Sequence, residues 1–359
     1  MDPSLLIPVP DPIPVHYSWF NIFNISTFFL HIIFVNSMLG MCIIALVKSF
    51  KTSDQNILET KEISLRLPFL IAFAINFGVA PLLFVQVLYG NFIYTSSVLM
   101  GWYWLMIIPI LIMAYYGAYI FDFKFDALKN LPITRLMIIG MSTILFLAIG
   151  FLFVNNLTLM QSPEKWLEYF SNSRGTILNL TETTLIPRFL HFIAASIAVG
   201  GLFIAAMGKI KVKKEDNADY NHMIVSGMHW FSFATSIQII IGIWFLMSLP
   251  NHIMLMFMGQ NSFASFLLIL SLGFTMGALF SGFSNKVWLS IVMSILVILP
   301  MVLMRDIVRS AYLEPYFSFS DLVIKPQYSS LVLFLISAII GISLIVYMLQ
   351  LAARSKKEV

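Results

Sequence analysis

The sequence predicts an all-α integral membrane protein, built as a bundle of about nine transmembrane helices. Hydrophobic residues make up 59% of the 359-residue chain, and charged residues make up only 11%. Soluble domains carry roughly 45–50% apolar and about 25% charged residues, so a water-soluble globule is excluded. The apolar residues also fall into runs of about 20, the length of a helix that crosses a bilayer. We therefore expect residues 1–359 to form a single polytopic membrane domain.

Nine apolar runs are candidates for spanning helices. They lie at 20–47, 66–89, 98–120, 133–154, 185–208, 222–249, 263–281, 287–304 and 330–352. The more polar stretches divide into an outer N-terminal segment at 1–19, outer loops at 155–184 and 305–329, and a cytoplasmic tail at 353–359. Neither outer loop is long enough to form a separate domain.

The distribution of basic residues predicts that the N-terminus is outside and the C-terminus is cytoplasmic. Cytoplasmic loops of membrane proteins carry an excess of Lys and Arg. In this orientation, 15 of the 21 basic residues fall in inner loops and six in outer loops. No basic residue precedes Lys48, so a signal peptide with a basic n-region is not expected. We therefore expect a multi-pass protein of the inner (cytoplasmic) membrane.

Composition also limits the chemistry. The formal net charge of +4 is spread over short loops, so the protein is not expected to bind nucleic acid. The single cysteine, Cys42, excludes disulfide frameworks, Cys-ligated iron–sulfur clusters and covalent c-type haem. The acidic residues are predicted to lie in loops or at helix ends, with none buried inside a span. That distribution argues against a transporter or pump built on a buried carboxylate relay.

Three histidines, His31, His191 and His229, lie inside predicted helices. An imidazole among lipid and apolar side chains must be hydrogen-bonded or bind a metal, because an unsatisfied polar group there costs several kcal/mol. Haem iron would accept a neutral imidazole nitrogen, and an interhelical hydrogen bond is the alternative. His31 is predicted about 18 Å into the membrane, and His191 about one turn below the outer surface. His229 lies on the inner half of its helix, where it could be a single metal ligand or a structural residue, but would not share a haem with His191.

Three arginines are candidates for holding haem propionates through charge-assisted hydrogen bonds. Arg188 precedes His191 by three residues, and Arg305 and Arg309 are one turn apart near an outer helix end. The alternative is ordinary anchoring of helix ends, or an ion pair with Asp306. Spacing alone favours this alternative.

Several segments resemble subunit I of the cytochrome bd quinol oxidases. Leu30–Met41 is similar to the first-helix motif of that family, in which a histidine ligates a high-spin haem. Ile75–Ala80 resembles the start of its second helix, and Met160–Pro163 a Met-Gln-Asn-Pro run after its fourth. Arg188–His191, continuing to Gly200–Phe203, resembles the fifth helix, whose histidine ligates the low-spin haem. The resemblance covers the first 210 residues well and the rest loosely.

The resemblance implies that His31 is the axial ligand of a high-spin haem and His191 that of a low-spin haem b. The chain departs from the family in its third helix, where Gly101–Met106 lacks the carboxylates of the family's proton path. The long quinol-binding loop is reduced to 250–262, and the family's methionine and glutamate ligands have no clear counterparts. These departures favour a redox subunit over a complete oxidase.

Three functions follow as hypotheses. The first is a haem-b-binding electron-transfer subunit with one or two haems, which passes electrons between a quinol pool and an outer-face redox partner. The second is a quinol:oxygen oxidoreductase acting as a terminal oxidase. The third is a haem-free membrane transporter or scaffold. The expected partners are the lipid bilayer, a second membrane subunit, an outer c-type cytochrome and a quinone or quinol.

Overall fold

The computed structural model describes residues 5, 7–51, 53–215 and 218–355. Its α-helices, in chain order, are α1 (Tyr17–Ser49), α2 (Asp54–Ser64), α3 (Leu67–Leu88), α4 (Gly90–Leu99), α5 (Gly101–Phe123), α6 (Pro132–Met160), α7 (Leu185–Glu215), α8 (Asn221–Ser248), α9 (Asn251–Leu255), α10 (Ser262–Phe283), α11 (Val287–Leu313) and α12 (Tyr328–Ser355). Over these residues, nine helical segments are long and apolar enough to cross a membrane, with α2 and α3 counted together as one. The predicted all-α bundle of nine spans is confirmed.

Helix α1 lies at the centre of the bundle, between α3 and α7, and α7 packs in turn along α8. The contact between α1 and α7 is backbone against backbone. A Cβ atom added to Gly200 would lie only 2.7 Å from Gly40 Cα, and one added to Gly40 would overlap the Ser196 carbonyl. Small residues allow this close approach of two membrane helices, so α1 and α7 are fixed in a defined register.

One end of the bundle, where α1 begins, carries a folded cap. We define the cap as residues 7–16, α4, 161–184 and 314–327. The N-terminal segment is held there in extended form, because Ile13 donates to the Val323 carbonyl at 2.9 Å and accepts from Lys325 N–H at 3.0 Å. Trp166 is buried in the same cap and donates from Nε1 to the Leu159 carbonyl at 2.9 Å. The segments predicted as outer structure therefore pack together at one end.

Two sequence predictions are corrected by the fold. The loop predicted at 305–329 begins later, because α11 continues to Leu313 and holds Arg305, Asp306 and Arg309 in its last turns. Carboxylates are also buried inside the protein, contrary to expectation, since Glu59 on α2 is completely inaccessible. Glu59 tolerates burial because Lys48 Nζ lies 3.0 Å from its Oε2.

Candidate functional site

Helices α1 and α7 bring His31 and His191 to the same level of the bundle. Both helices start at the cap and run away from it, and Ser196 Oγ donates to Asn36 Oδ1 at 3.0 Å. That pair, like the Gly40–Gly200 contact, joins residues 160 positions apart, and His31 and His191 are separated by the same number. The separate depths predicted from the helix starts are therefore wrong, because α1 extends further into the cap than α7 does.

The imidazole of His31 is oriented by α3. Its Nδ1 lies 2.9 Å from the Ala74 carbonyl oxygen. A carbonyl only accepts, so Nδ1 carries the proton and the neutral ring keeps its lone pair on Nε2. Metal-ligating histidines almost always donate their other ring N–H in this way. Gly78, one turn after Ala74, lies against the ring: a Cβ there would be 2.7 Å from His31 Cε1.

The imidazole of His191 faces α8. Its Nε2 lies 3.4 Å from Gln238 Nε2, while its Nδ1 is buried and has no hydrogen-bond partner. Gly242, one turn beyond Gln238, again leaves space beside the ring, since a Cβ there would be 3.3 Å from His191 Cε1. The two histidines thus lie on the same level but face different neighbouring helices, each beside a glycine. The interhelical hydrogen bond that the sequence left open as an alternative is present at both rings, to the Ala74 carbonyl for His31 and to Gln238 for His191.

A layer of guanidinium groups lies about one helical turn nearer the cap than the imidazoles. Arg305 Cζ lies 4.0 Å from the centre of the Phe28 ring, and that ring is 6.2 Å from the His31 ring. Arg188 Cζ lies 5.3 Å from the Phe245 ring, which is 6.4 Å from the His191 ring. Each imidazole is therefore followed towards the cap by an aromatic ring and then a guanidinium.

The third guanidinium, that of Arg309, is only 1% exposed and lies 4.4 Å from the centre of the Tyr89 ring. It is paired with Asp306, the ion pair that the sequence left open, and Asn21 Nδ2 donates to the same carboxylate at 3.3 Å. Arg305 lies one turn before Arg309 on α11, and we call Arg188, Arg305 and Arg309 the arginine cluster.

This arginine cluster has more hydrogen-bond donors than the surrounding side chains satisfy. Arg188 donates from Nη1 to Gln161 Oε1 at 3.0 Å, but its Nε and Nη2 are buried without a partner. Nε and Nη1 of Arg309 are likewise buried and unpartnered. Buried polar groups in folded proteins almost always have partners. An anionic group would supply acceptors for these donors.

His229 lies outside this site. It is exposed on α8, nine residues before Gln238, and so is about 14 Å along the helix from the level of His191. His229 and His191 are therefore on different levels of the bundle, and the prediction that they would not share a haem stays a prediction. In the described part of the chain, no group of three or more His, Cys, Asp or Glu side chains could hold a bare metal ion. The site offers isolated imidazoles, each with guanidinium groups nearer the cap.

Some functional features carried no signal in the sequence. Ala74 acts through its carbonyl oxygen, and Gly78 and Gly242 act by lacking a side chain. Phe28 and Phe245 are two among 33 phenylalanines, with no pattern that distinguishes them. Only the contacts between helices identify these residues.

No family model and no curated protein sequence matches this chain.

Proposed function

We propose that this chain is a haem-b-binding electron-transfer subunit of the cytoplasmic membrane. The observation that carries the proposal is the pair of imidazoles on one level, with the guanidiniums of Arg188 and Arg305 about one turn nearer the cap and that of Arg309 one turn beyond Arg305 on α11. His31 has the hydrogen bond to a backbone carbonyl that is typical of a metal ligand. The resemblance of Leu30–Met41 and Arg188–His191 to cytochrome bd subunit I supports the same residues.

The residues present fit haem b, and they would hold it at two positions. His31 faces α3 and His191 faces α8, so each imidazole would ligate its own iron, and the buried Nδ1 of His191 would no longer lack a partner. The unpartnered nitrogens of Arg188 and Arg309 would bind the propionates. Haem b supplies one-electron redox chemistry when bound, and the protein supplies the ligands, the burial and the counter-charges.

The orientation and the partners belong to the same proposal. With the cap outside, the arginine cluster lies near the outer face, where a c-type cytochrome or another redox partner would dock. The basic residues Lys48, Lys61, Arg135 and Lys209 then lie at the inner end, as the positive-inside rule requires. A second membrane subunit would cover part of the lipid-facing surface, and a membrane quinol would exchange electrons with the chain.

The experiment that tests the proposal measures haem in purified variants. His31→Ala and His191→Ala are each expected to remove a haem, recorded as pyridine haemochromogen per chain and as a change in the b-type α-band. His229→Ala is the matched control, because His229 also lies in a span but outside the site, and it should keep the wild-type haem content. Equal spectra in all three variants would refute these ligand assignments.

One observation favours a second function, a haem-free transporter or scaffold. Gln238 reaches His191 Nε2 at 3.4 Å, which gives that ring a partner within the protein. The substitution Gln238→Leu distinguishes these two functions. It should leave haem binding in place if the chain is a haem-binding subunit, and it should destabilise the protein if the chain is a haem-free transporter or scaffold. The terminal-oxidase function would instead require quinol-dependent oxygen uptake by the purified complex.

A further inference from the structure

A groove lies between α7 and α11 at the end of the bundle opposite the cap. It has a volume of about 500 Å³ and is lined by Lys209, Ile210, Lys213, Lys214 and Trp288. The lysines belong to the last two turns of α7, which runs away from the cap. Trp288 belongs to the first turn of α11, which runs back towards the cap. We call this surface the lysine groove.

The lysine groove carries positive charge that no carboxylate of the described residues neutralises. Its three lysines are exposed, and none of them forms an ion pair within the described part of the chain. Lys211 lies on the other side of α7, where its Nζ is 3.3 Å from Glu62 Oε1. Lys209 and Lys213 are one turn apart, about 6 Å along the helix axis, so their charges act on the same space.

The start of α11 adds backbone hydrogen-bond donors at the same place. Its N-cap residue, Lys286, makes no side-chain capping bond, and the first turn of the helix contains no acidic residue. The first N–H groups of an α-helix have no partner within the helix, and together with the helix dipole they favour an anion. Three unpaired ammonium groups and an uncapped helix start therefore both point to a negatively charged ligand.

The surroundings of the groove indicate that this anion is part of a lipid. Ile210 and Trp288 are exposed beside the lysines. The exposed face of α11 continues from Trp288 towards the cap through apolar side chains at helical spacing, namely Val292, Ile295 and Leu299. Tryptophan is enriched where a spanning helix meets the head groups, and basic sites between spanning helices bind acidic head groups there.

We propose that the lysine groove binds an acidic phospholipid, with the phosphate between Lys209, Lys213 and Lys214 and the acyl chains along α11. The ammonium groups and the N–H groups at the start of α11 donate to the phosphate oxygens. Trp288 packs beside the glycerol and sets the depth of the head group. A choline head group would place a fourth positive charge beside the three lysines, so a zwitterionic lipid is disfavoured. The site uses neither His31 nor His191, so its failure leaves the haem proposal unaffected.

The test is native mass spectrometry of the purified full-length protein, titrated with phosphatidylglycerol, with phosphatidylcholine and with inorganic phosphate. Phosphatidylglycerol should bind more tightly than phosphatidylcholine, and inorganic phosphate should not displace it, because phosphate lacks the acyl chains. The triple variant Lys209→Gln, Lys213→Gln, Lys214→Gln should weaken phosphatidylglycerol binding about a hundredfold, since each basic residue near an anionic lipid contributes about fivefold in affinity. Trp288→Ala leaves every charge in place and should also weaken binding.

The matched control is the triple variant Lys51→Gln, Lys124→Gln, Lys129→Gln. It removes the same charge from exposed lysines at the same end of the bundle but outside the groove, and it should bind as the wild type does. Equal weakening in the two triple variants, or equal affinity for the two lipids, overturns the site. Displacement by inorganic phosphate overturns the assignment to a lipid. All the substituted side chains are exposed, so the size-exclusion profiles of the variants should match that of the wild type.

Discussion

Replacing Gly78 by alanine should displace the His31 ring without unfolding the protein. The added Cβ would lie 2.7 Å from His31 Cε1 and 3.0 Å from Nδ1. Carbon atoms pack at about 3.5–4.0 Å, so the ring must move by about 1 Å. Its hydrogen bond to the Ala74 carbonyl is 2.9 Å long and would not survive that shift.

The magnitudes predict a larger effect on the cofactor than on stability. Loss of one hydrogen bond removes about 1 kcal/mol, while alanine is about 0.8–1.0 kcal/mol better than glycine inside a helix. These two terms nearly cancel, and forcing the Cβ against the ring adds about 1–3 kcal/mol, so Gly78→Ala should stay folded with a modestly lower unfolding midpoint. The orientation of the proposed iron ligand is lost all the same, so the haem assigned to His31 should be lost or spectrally altered.

The assay compares three alanine variants by haem content and by unfolding midpoint. Gly242→Ala should have a smaller effect than Gly78→Ala, because its Cβ would stand 3.3 Å from His191 Cε1 and needs a shift of only a few tenths of an ångström. Gly273→Ala on α10 is the control, since a Cβ there meets no atom within 4 Å. Wild-type haem content in Gly78→Ala, or equal losses in all three variants, would refute the reasoning.

Three other substitutions test the packing and the buried charges. Gly200→Leu should prevent α1 and α7 from meeting, because even a Cβ would lie 2.7 Å from the neighbouring Cα, and size-exclusion chromatography should show no folded monodisperse protein. Arg309→Met leaves Asp306 without its buried partner and should destabilise the protein by about 3–5 kcal/mol, while adding Asp306→Asn should recover most of the loss in a denaturant titration. Lys48→Met should also destabilise the protein, because it leaves Glu59 without its buried partner, and adding Glu59→Gln should recover most of that loss of stability. Recovery in neither double variant would contradict the paired-charge description.

The membrane fold is predictable from the sequence because its main signal is local. An apolar run of sufficient length forms a spanning helix wherever its neighbours lie, and all nine predicted runs are helical. The sequence does not predict that α11 continues to Leu313, because the last turns of this helix are polar and lie outside the apolar run. These turns remain helical because Asp306 pairs with Arg309 and the cap buries Leu313.

The candidate site is only partly predictable. His31 and His191 could be selected because an imidazole inside an apolar run needs a partner, but their common level depends on the packing of Gly40 against Gly200. Glu59 falls in the loop that the sequence predicts between the first two spans, and its burial depends on Lys48, which is near in sequence, and on α8, which is far along the chain. Such non-local contacts decide the geometry of the site, and no single segment contains them.

The most direct test of the central claim is an optical spectrum of the wild-type protein purified from haem-replete cells. The reduced-minus-oxidised difference should show a b-type α-band, with one or two haems per chain. Protein that is folded, monodisperse and colourless would contradict the assignment of His31 and His191 as iron ligands.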